Sequence, residues 1–386
     1  MDLGDLCDLI VDCEHKTAPT QETGHPSIRT PNIGRGYFIL TDVNRVSEET
    51  YKLWTRRAIP KPGDLIMARE APAGNVAVIP PGLNPCLGQR TLLIRCNRAK
   101  ADPYYLSYLL NGPQVQGTIY GMTNGATVPH LNMKDVRTLP IPEIPPLPTQ
   151  HKIAATLSAY DDLIENNTRR IKILEEMAQA LYREWFVHFR LPGHEKVKMV
   201  ASPVGPIPQG WETGRLDDAL ILQRGFDLPI QNRRAGSVPV FAATGVVGTH
   251  DEARVKGPGI VTGRSGSLGT VIYVDRDFWP LNTTLWVKEF RRATPALAFF
   301  LLKDLKLDGF NSGAAVPTLN RNDIHGLPVN LAPNSILSRF DDCMLPMFAL
   351  KKALQARNAN LRRTRDLLLP KLISGEIDVS NLDTRM

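Results

Sequence analysis

The strongest pattern along the chain is a run of mainly apolar positions in alternating steps of four and three. After Pro148 it passes through Ile153, Leu157, Tyr160, Ile164, Asn167, Ile171, Leu174, Ala178, Leu181, Trp185 and His188. A repeat averaging 3.5 residues places these positions on one seam of a helix that supercoils on a partner. A second run has the same rhythm at Met347, Leu350, Leu354, Arg357, Leu361, Thr364 and Leu368. Pro346 and Pro370 flank it and are expected to delimit or kink that helix. Each seam needs an equally long partner, so the two are predicted to pair antiparallel. Asn167, Arg357 and Thr364 would weaken the packing but help to fix register. Helices of about 35 to 40 residues are roughly 52 to 60 Å long at 1.5 Å per residue. Antiparallel pairing would then set the flanking globular parts at opposite ends, about an approximate two-fold axis.

Outside the seams the pattern changes to short strands and Gly- or Pro-marked turns, and it occurs twice. Gly125-Ala126-Thr127-Val128-Pro129-His130-Leu131-Asn132 recurs 188 positions later as Gly313-Ala314-Ala315-Val316-Pro317-Thr318-Leu319-Asn320. Arg69, Gly74 and Val76 match Arg264, Gly269 and Val271 at offset 195, and Tyr160-Asp161-Asp162 matches Phe340-Asp341-Asp342 at offset 180. The matches are colinear, and the drifting offset is what loop insertions produce. The Pro-rich run 140–148 and the Pro/Gly-rich stretch 191–210 read as connectors. The prediction is an α+β chain with a pseudo-two-fold internal repeat. Two mixed α/β parts, 1–148 and 191–333, alternate with helical segments 149–190 and 334–386.

Composition adds limits. With 42% hydrophobic and 22% charged residues, the 386-residue chain is an ordinary folded protein. The formal charge of +7 divides into +1, 0, +3 and +3 over the four segments, so anion binding has to come from local clusters. Apolar runs such as 297–302 fall far short of a bilayer span, and the acidic start Met1, Asp2, Asp5 lacks the basic opening of a signal peptide. A cytoplasmic protein without membrane contact is expected. Cys7, Cys13, Cys86, Cys96 and Cys343 form an odd set with no C-x-x-C pair, which argues against disulfides and structural zinc.

A two-fold protein suits duplex DNA, whose strands are themselves related by local two-fold axes. Since the two repeats differ in sequence, the two half-sites would differ, giving a bipartite, asymmetric target. Candidate contacts lie in polar loops between apolar runs. In the first repeat they are His15, Lys16, Thr17, Arg29, Thr30, Asn32, Arg69, Gln89, Arg90, Asn124 and His130. In the second they are Arg224, Thr244, Arg264, Ser265, Ser267, Asn282, Thr283 and Asn311. Arg, Asn and Gln make bidentate contacts with purine edges, while Lys, Ser and Thr suit phosphate. Arg69 and Arg264 stand out because each opens a Gly-containing loop at the equivalent position.

Catalytic motifs fail under the same scrutiny. Gly263-x-x-Gly266-x-x-Gly269 has no following G-K-[ST] and reads as a turn. Asp102-Pro103-Tyr104-Tyr105 resembles a methyltransferase signature, but its counterpart Thr294-Pro295-Ala296-Leu297 keeps only a capping residue followed by proline. Glu14-x-Lys16 lacks the partner motif of a nuclease, and the eight histidines show no ligand spacing. No catalysis and no metal are expected in this chain.

The two-part plan resembles the DNA-specificity subunits of type I restriction-modification systems. The phrases Asn166-Asn167-Thr168-Arg169-Arg170-Ile171 running into Ala178-Gln179-Ala180-Leu181-Tyr182-Arg183-Glu184-Trp185-Phe186 carry the likeness. So does Arg365-Asp366-Leu367-Leu368-Leu369-Pro370-Lys371-Leu372-Ile373-Ser374-Gly375-Glu376-Ile377, which looks like the distal repeat of such subunits. The resemblance implies that 1–148 and 191–333 are target-recognition domains on double-stranded DNA. It implies two adenine-N6 methyltransferase subunits that bind S-adenosylmethionine, and restriction subunits that use ATP and magnesium, as partners. The chain itself would hold no cofactor. Glu165, Arg169, Arg170, Glu175, Glu176 and Arg183, beside the first seam, would face the methyltransferase subunits. The competing expectation is a protein-interaction scaffold that holds two binding modules on a helical spacer without touching DNA.

Overall fold

The computed structural model describes residues 1–123, 130–379 and 382. The chain forms two compact units, one from Met1–Asn167 with Arg357–Met386 and one from Thr168–Ala356.

In the first unit a four-stranded antiparallel sheet has the order Cys7–Asp12, Thr91–Cys96, Leu65–Ala68, Val76–Val78. Its inner strands are apolar at nearly every position because both faces are covered. Leu65, Met67, Val76, Leu92 and Ile94 enter one core, while the alternate residues Ile66, Ala68, Ala77 and Leu93 enter another. The larger core is closed by the helix Pro103–Asn111, by Ile153 and Leu157, and by Leu372 and Val379 from the far end of the sequence. The smaller lies under a three-stranded sheet in which His25–Ile28 pairs with Arg45–Val46 and runs parallel to Cys86–Leu87. Burial pushes the thiols of Cys7 and Cys86 up to about 12, so both stay protonated.

The second unit repeats this plan. Its main sheet has the order Leu220–Arg224, Thr284–Phe290, Gly259–Gly263, Val271–Val274. Its smaller sheet joins the hairpin Val238–Ala242/Gly245–His250 to Trp279–Pro280, again with one parallel pairing. Matching caps confirm the repeat read from sequence. Asp102 Oδ1 accepts a bond from Tyr105 N at 2.9 Å, and Thr294 Oγ1 accepts one from Leu297 N at 3.3 Å. The short opening turns are closed alike by Asp2 N to Asp5 Oδ2 (2.9 Å) and Arg215 N to Asp218 Oδ2 (2.8 Å).

The first long helix spans Leu147–Tyr182 and ends in a π turn, Arg183–Val187; the second spans Asn334–Ile373. Within the first unit their segments run antiparallel, with Asp161 bound to Arg365 and Asn167 to Asn358. Within the second unit the same sense is set by Lys351 Nζ, 2.6 Å from Glu175 Oε1, and by Trp185 against Phe340. The seam predicted for the first helix is correct from Ile153 to Trp185, with Tyr160, Ile171, Leu174 and Leu181 half-buried. His188 lies past it and is exposed.

The seam predicted for the second helix is half right. Met347, Leu354, Leu361 and Leu368 face inward, but Leu350, Arg357 and Thr364 are exposed, and their places are taken by Lys351, Asn358 and Arg365. Apolarity pointed to Leu350 over Lys351, yet each of the three polar residues that enter the seam finds a partner on the facing helix. Pro346 and Pro370 do not delimit the second helix. The helix runs unbroken through Pro346 and Pro370, both of which are exposed.

Asn167 and Asn358 are each 3% exposed, with Asn167 Nδ2 donating to Asn358 Oδ1 at 2.9 Å and Asn358 Nδ2 to Ile164 O at 3.2 Å. Asn358→Ala deprives the buried Asn167 amide of that acceptor and is expected to cost about 1–3 kcal/mol. Changing both to Leu should be close to neutral or stabilising while loosening register. A urea-denaturation double-mutant cycle checks this, and equal losses in single and double variants would contradict it.

Candidate nucleic-acid interface

Antiparallel connectivity gathers the candidate loops of the first unit at one end of its main sheet. Strand Cys7–Asp12 ends there, Thr91–Cys96 begins, Leu65–Ala68 ends and Val76–Val78 begins. His15 Nε2 lies 2.9 Å from Asp12 Oδ2; Gln89 Nε2 donates to His15 O at 3.2 Å, and Thr17 Oγ1 to Gln89 Oε1 at 3.4 Å. Arg90 pairs with Glu70 at 3.0 Å, and Glu70 bridges to His130. Arg29 lies against Gly88, where a Cβ would come 2.6 Å from Ile28 O, so no side chain separates the two loops. His15, Lys16, Thr17, Arg29 and Arg90 are exposed, and Arg69, Gln89 and His130 half-exposed. Together they make one polar surface.

Thr30 and Asn32 do not belong to that surface. Both are 8% exposed, and Asn32 holds the local turn by accepting from Arg29 N and donating to Ile39 O, each at 3.1 Å. Their polarity, read as contact chemistry, serves the backbone instead. Asn124 lies outside the described residues.

The second unit gathers its candidates at the corresponding end. Arg264 N and Ser265 N donate to Thr283 O at 2.9 and 3.1 Å, Arg264 Nη1 donates to Asn282 O at 3.1 Å, and Asn282 binds Asp227. Arg224, exposed, approaches Asp227 at 4.0 Å. Ser265 bridges to Thr318, and Asn311 Oδ1 accepts from Gly313 N and Thr318 N, both at 2.9 Å. Ser267 is half-exposed and folds back so closely that its carbonyl would meet any Cβ on Gly263. Thr244 is exposed at the turn of the hairpin beside them.

Arg69 and Arg264 are structural equivalents. Arg69 N donates to Arg90 O, and its carbonyl accepts from Leu131 N; Arg264 N donates to Thr283 O, and its carbonyl accepts from Leu319 N. Each therefore clamps a returning segment onto the sheet end. Their guanidinium groups take backbone carbonyls as well, Leu131 O at 2.9 Å from Arg69 Nε and Asn282 O from Arg264. The same register sets Gln89-Arg90 in one unit opposite Asn282-Thr283 in the other. The frame is shared while the displayed chemistry differs.

The flank residues Glu165, Arg169, Arg170, Glu175, Glu176 and Arg183 are all exposed on the first long helix. Glu175 bonds Lys351, and Glu176 approaches Lys172 at 3.8 Å. Arg35, which sequence reading passed over, lines a hollow with Pro72, Gln116 and Tyr120 at the same end of the first unit. No group of three or more His, Cys, Asp or Glu that could hold a metal occurs among the described residues, and none of their helices is long and apolar enough to cross a membrane.

Residues 1–176 match the family model described as the type I restriction modification DNA specificity domain. The MjaIX specificity subunit of a type I restriction enzyme from Methanocaldococcus jannaschii is 28% identical over 371 residues, 89% of this chain and 84% of that protein. The HindI specificity subunit of a type I restriction enzyme from Haemophilus influenzae is 28% identical over 166 residues, covering 42% of this chain and 35% of its own. A crystal structure of a type I restriction-modification S subunit from M. genitalium shares the fold at a TM-score of 0.66, with 17% identity, over 97% of this chain and 95% of that one.

Proposed function

Since the chain belongs to the family of type I restriction-modification DNA specificity subunits, we propose that it is the sequence-reading component of such a complex. It binds double-stranded DNA at a bipartite, asymmetric site. It has no catalytic role, and it brings two adenine-N6 methyltransferase subunits and the restriction subunits to that site in the cytoplasm. S-adenosylmethionine, ATP and magnesium belong to those partners.

The observation that carries this reading is the repeated sheet end. Two equivalent frames, clamped by Arg69 and Arg264, each turn their polar loops outward together and display different side chains at equivalent places. Two frames of one design give two half-sites. Different residues on them, Gln89 and Arg90 against Asn282 and Thr283, give two different half-site sequences. Arg and amide side chains at such loops suit purine edges, and the loop amides and hydroxyls suit phosphate. The exposed charged positions of the first long helix suit docking of the methyltransferase subunits.

Binding of the assembled complex to its duplex is expected to weaken linearly on a log–log plot against salt, with a slope of about −0.9 per phosphate contacted. Lys16→Ala, which removes an exposed cation suited to phosphate, should flatten that slope by about one. Salt-insensitive or absent duplex binding would favour the protein-interaction scaffold instead. The purified chain alone should transfer no methyl group.

A further inference from the structure

The two units differ where their smaller sheets turn. In the first unit the connection between His25–Ile28 and Arg45–Val46 is the loop 29–44. In the second it is the tight hairpin Val238–Ala242/Gly245–His250. That hairpin points toward the polar sheet end: Leu281 N donates to Phe241 O at 2.8 Å, and Ala243 Cβ lies 3.5 Å from where a Cβ on Gly263 would sit, beside Arg264.

Its outer strand is unusual in two ways. No charged residue occurs between Arg234 and His250. The pairing also slips, with Val240 opposite Gly248 but Phe241 opposite Val246, so Val247 is an extra, bulged residue. Successive side chains of a regular strand alternate faces, and one of two neighbours here would be expected to turn inward. The bulge breaks that alternation, leaving Val246 59% and Val247 41% exposed. It is held in place: Arg233 Nη1 donates to Val247 O at 3.2 Å, and Gly248 adopts φ +150°, which favours glycine. The fold thus presents two adjacent β-branched apolar side chains to solvent, just past Thr244 at the hairpin turn and beside Arg233.

Resting on the DNA-reading function above, we propose that Val246 and Val247 recognise thymine methyl groups in the major groove. That groove admits a two-stranded ribbon, and the thymine C5 methyl is the apolar group it offers. Phosphate contacts from the neighbouring arginines supply the affinity, and the uncharged strand supplies discrimination. The half-site taken by the second unit therefore contains at least one A·T pair read through its methyl.

Methylome mapping of a host carrying the full chain and its methyltransferase partner gives the target. Binding of the assembled complex is then measured on duplexes in which each thymine of that target is replaced, one at a time, by deoxyuridine, which removes only the methyl. The wild type should lose about fourfold in affinity at one or two positions, all in one half-site. The Val246→Ser/Val247→Ser variant, which removes both methyls from each exposed side chain, should bind the thymine duplex with a similar loss and show no further loss on the deoxyuridine duplexes. If the wild type binds every deoxyuridine duplex equally well, the methyl reading is wrong while DNA reading stands, and this result needs no variant. Equal deoxyuridine losses in both proteins would assign the methyl to other residues. A variant with unchanged sequence preference that no longer holds the methyltransferase subunit would make the hairpin a protein contact. Failure of the wild type to bind any duplex would instead remove the DNA-reading function itself.

Discussion

Phe340→Ala is expected to destabilise the second unit by about 3–5 kcal/mol, the range for truncating a fully buried aromatic side chain. Phe340 has no exposed surface. Its ring centroid lies 4.8 Å from that of Phe186, 6.0 Å from Trp185 and 6.2 Å from Phe300, so one side chain ties both long helices to the helix Pro295–Asp304. Truncation opens a hole bounded by rigid rings that cannot collapse into it, which is why the upper part of the range applies. Fluorescence is a selective reporter, since Trp185, Trp211, Trp279 and Trp286 belong to the second unit and only Trp54 to the first. The urea midpoint followed by tryptophan emission should fall sharply. A shift worth less than about 1 kcal/mol, the level of an average substitution, would contradict this packing.

The second large effect concerns the helices. Adding one heptad to both, between Asn167 and Glu175 in the first and between Lys351 and Asn358 in the second, keeps each polar pair intact. Seven residues add about 10.5 Å of helix, the length of roughly three base pairs. Methylome mapping should then show a target whose unread gap is about three base pairs longer, with both half-sites unchanged. An unchanged gap would exclude a spacing role for the helices. An insertion near Asn167 alone is expected to fail differently. It puts Asn167–Asn358 and Glu175–Lys351 out of step, leaving buried or half-buried polar groups unpaired, and the chain should lose stability.

That outcome could have been anticipated from the sequence with one more step. Adding the offset of 180, evident from Tyr160-Asp161-Asp162 and Phe340-Asp341-Asp342, to the first seam from Leu157 onward yields 337, 340, 344, 347, 351, 354, 358, 361, 365 and 368. These are the positions the second helix turns inward. Reading that helix by apolarity alone selected Leu350 and missed Lys351, because the benefit of a seam cation depends on a carboxylate, Glu175, in another segment. Prolines misled in a related way. Their cost is local, but whether it ends a helix depends on the packing that flanks it, which no short window contains. The caps at Asp102 and Thr294 and the equivalence of Arg69 and Arg264 were legible because each follows from repeated local chemistry. The burial of Asn32 and the bulge at Val247 were not. Both arise from how the chain turns back on itself, and a polar or apolar letter in a loop carries no mark of which side it will face.

The first unit draws on both ends of the chain, with Leu372 and Val379 buried against a core whose strands begin at Cys7. During synthesis its sheet leaves the ribosome first but lacks that covering until the whole second unit has been made. The part of the protein translated earliest is therefore the last to be completed. For that interval its apolar surface lacks the cover that Leu372 and Val379 give it in the finished fold, the condition in which a nascent domain is most prone to aggregate.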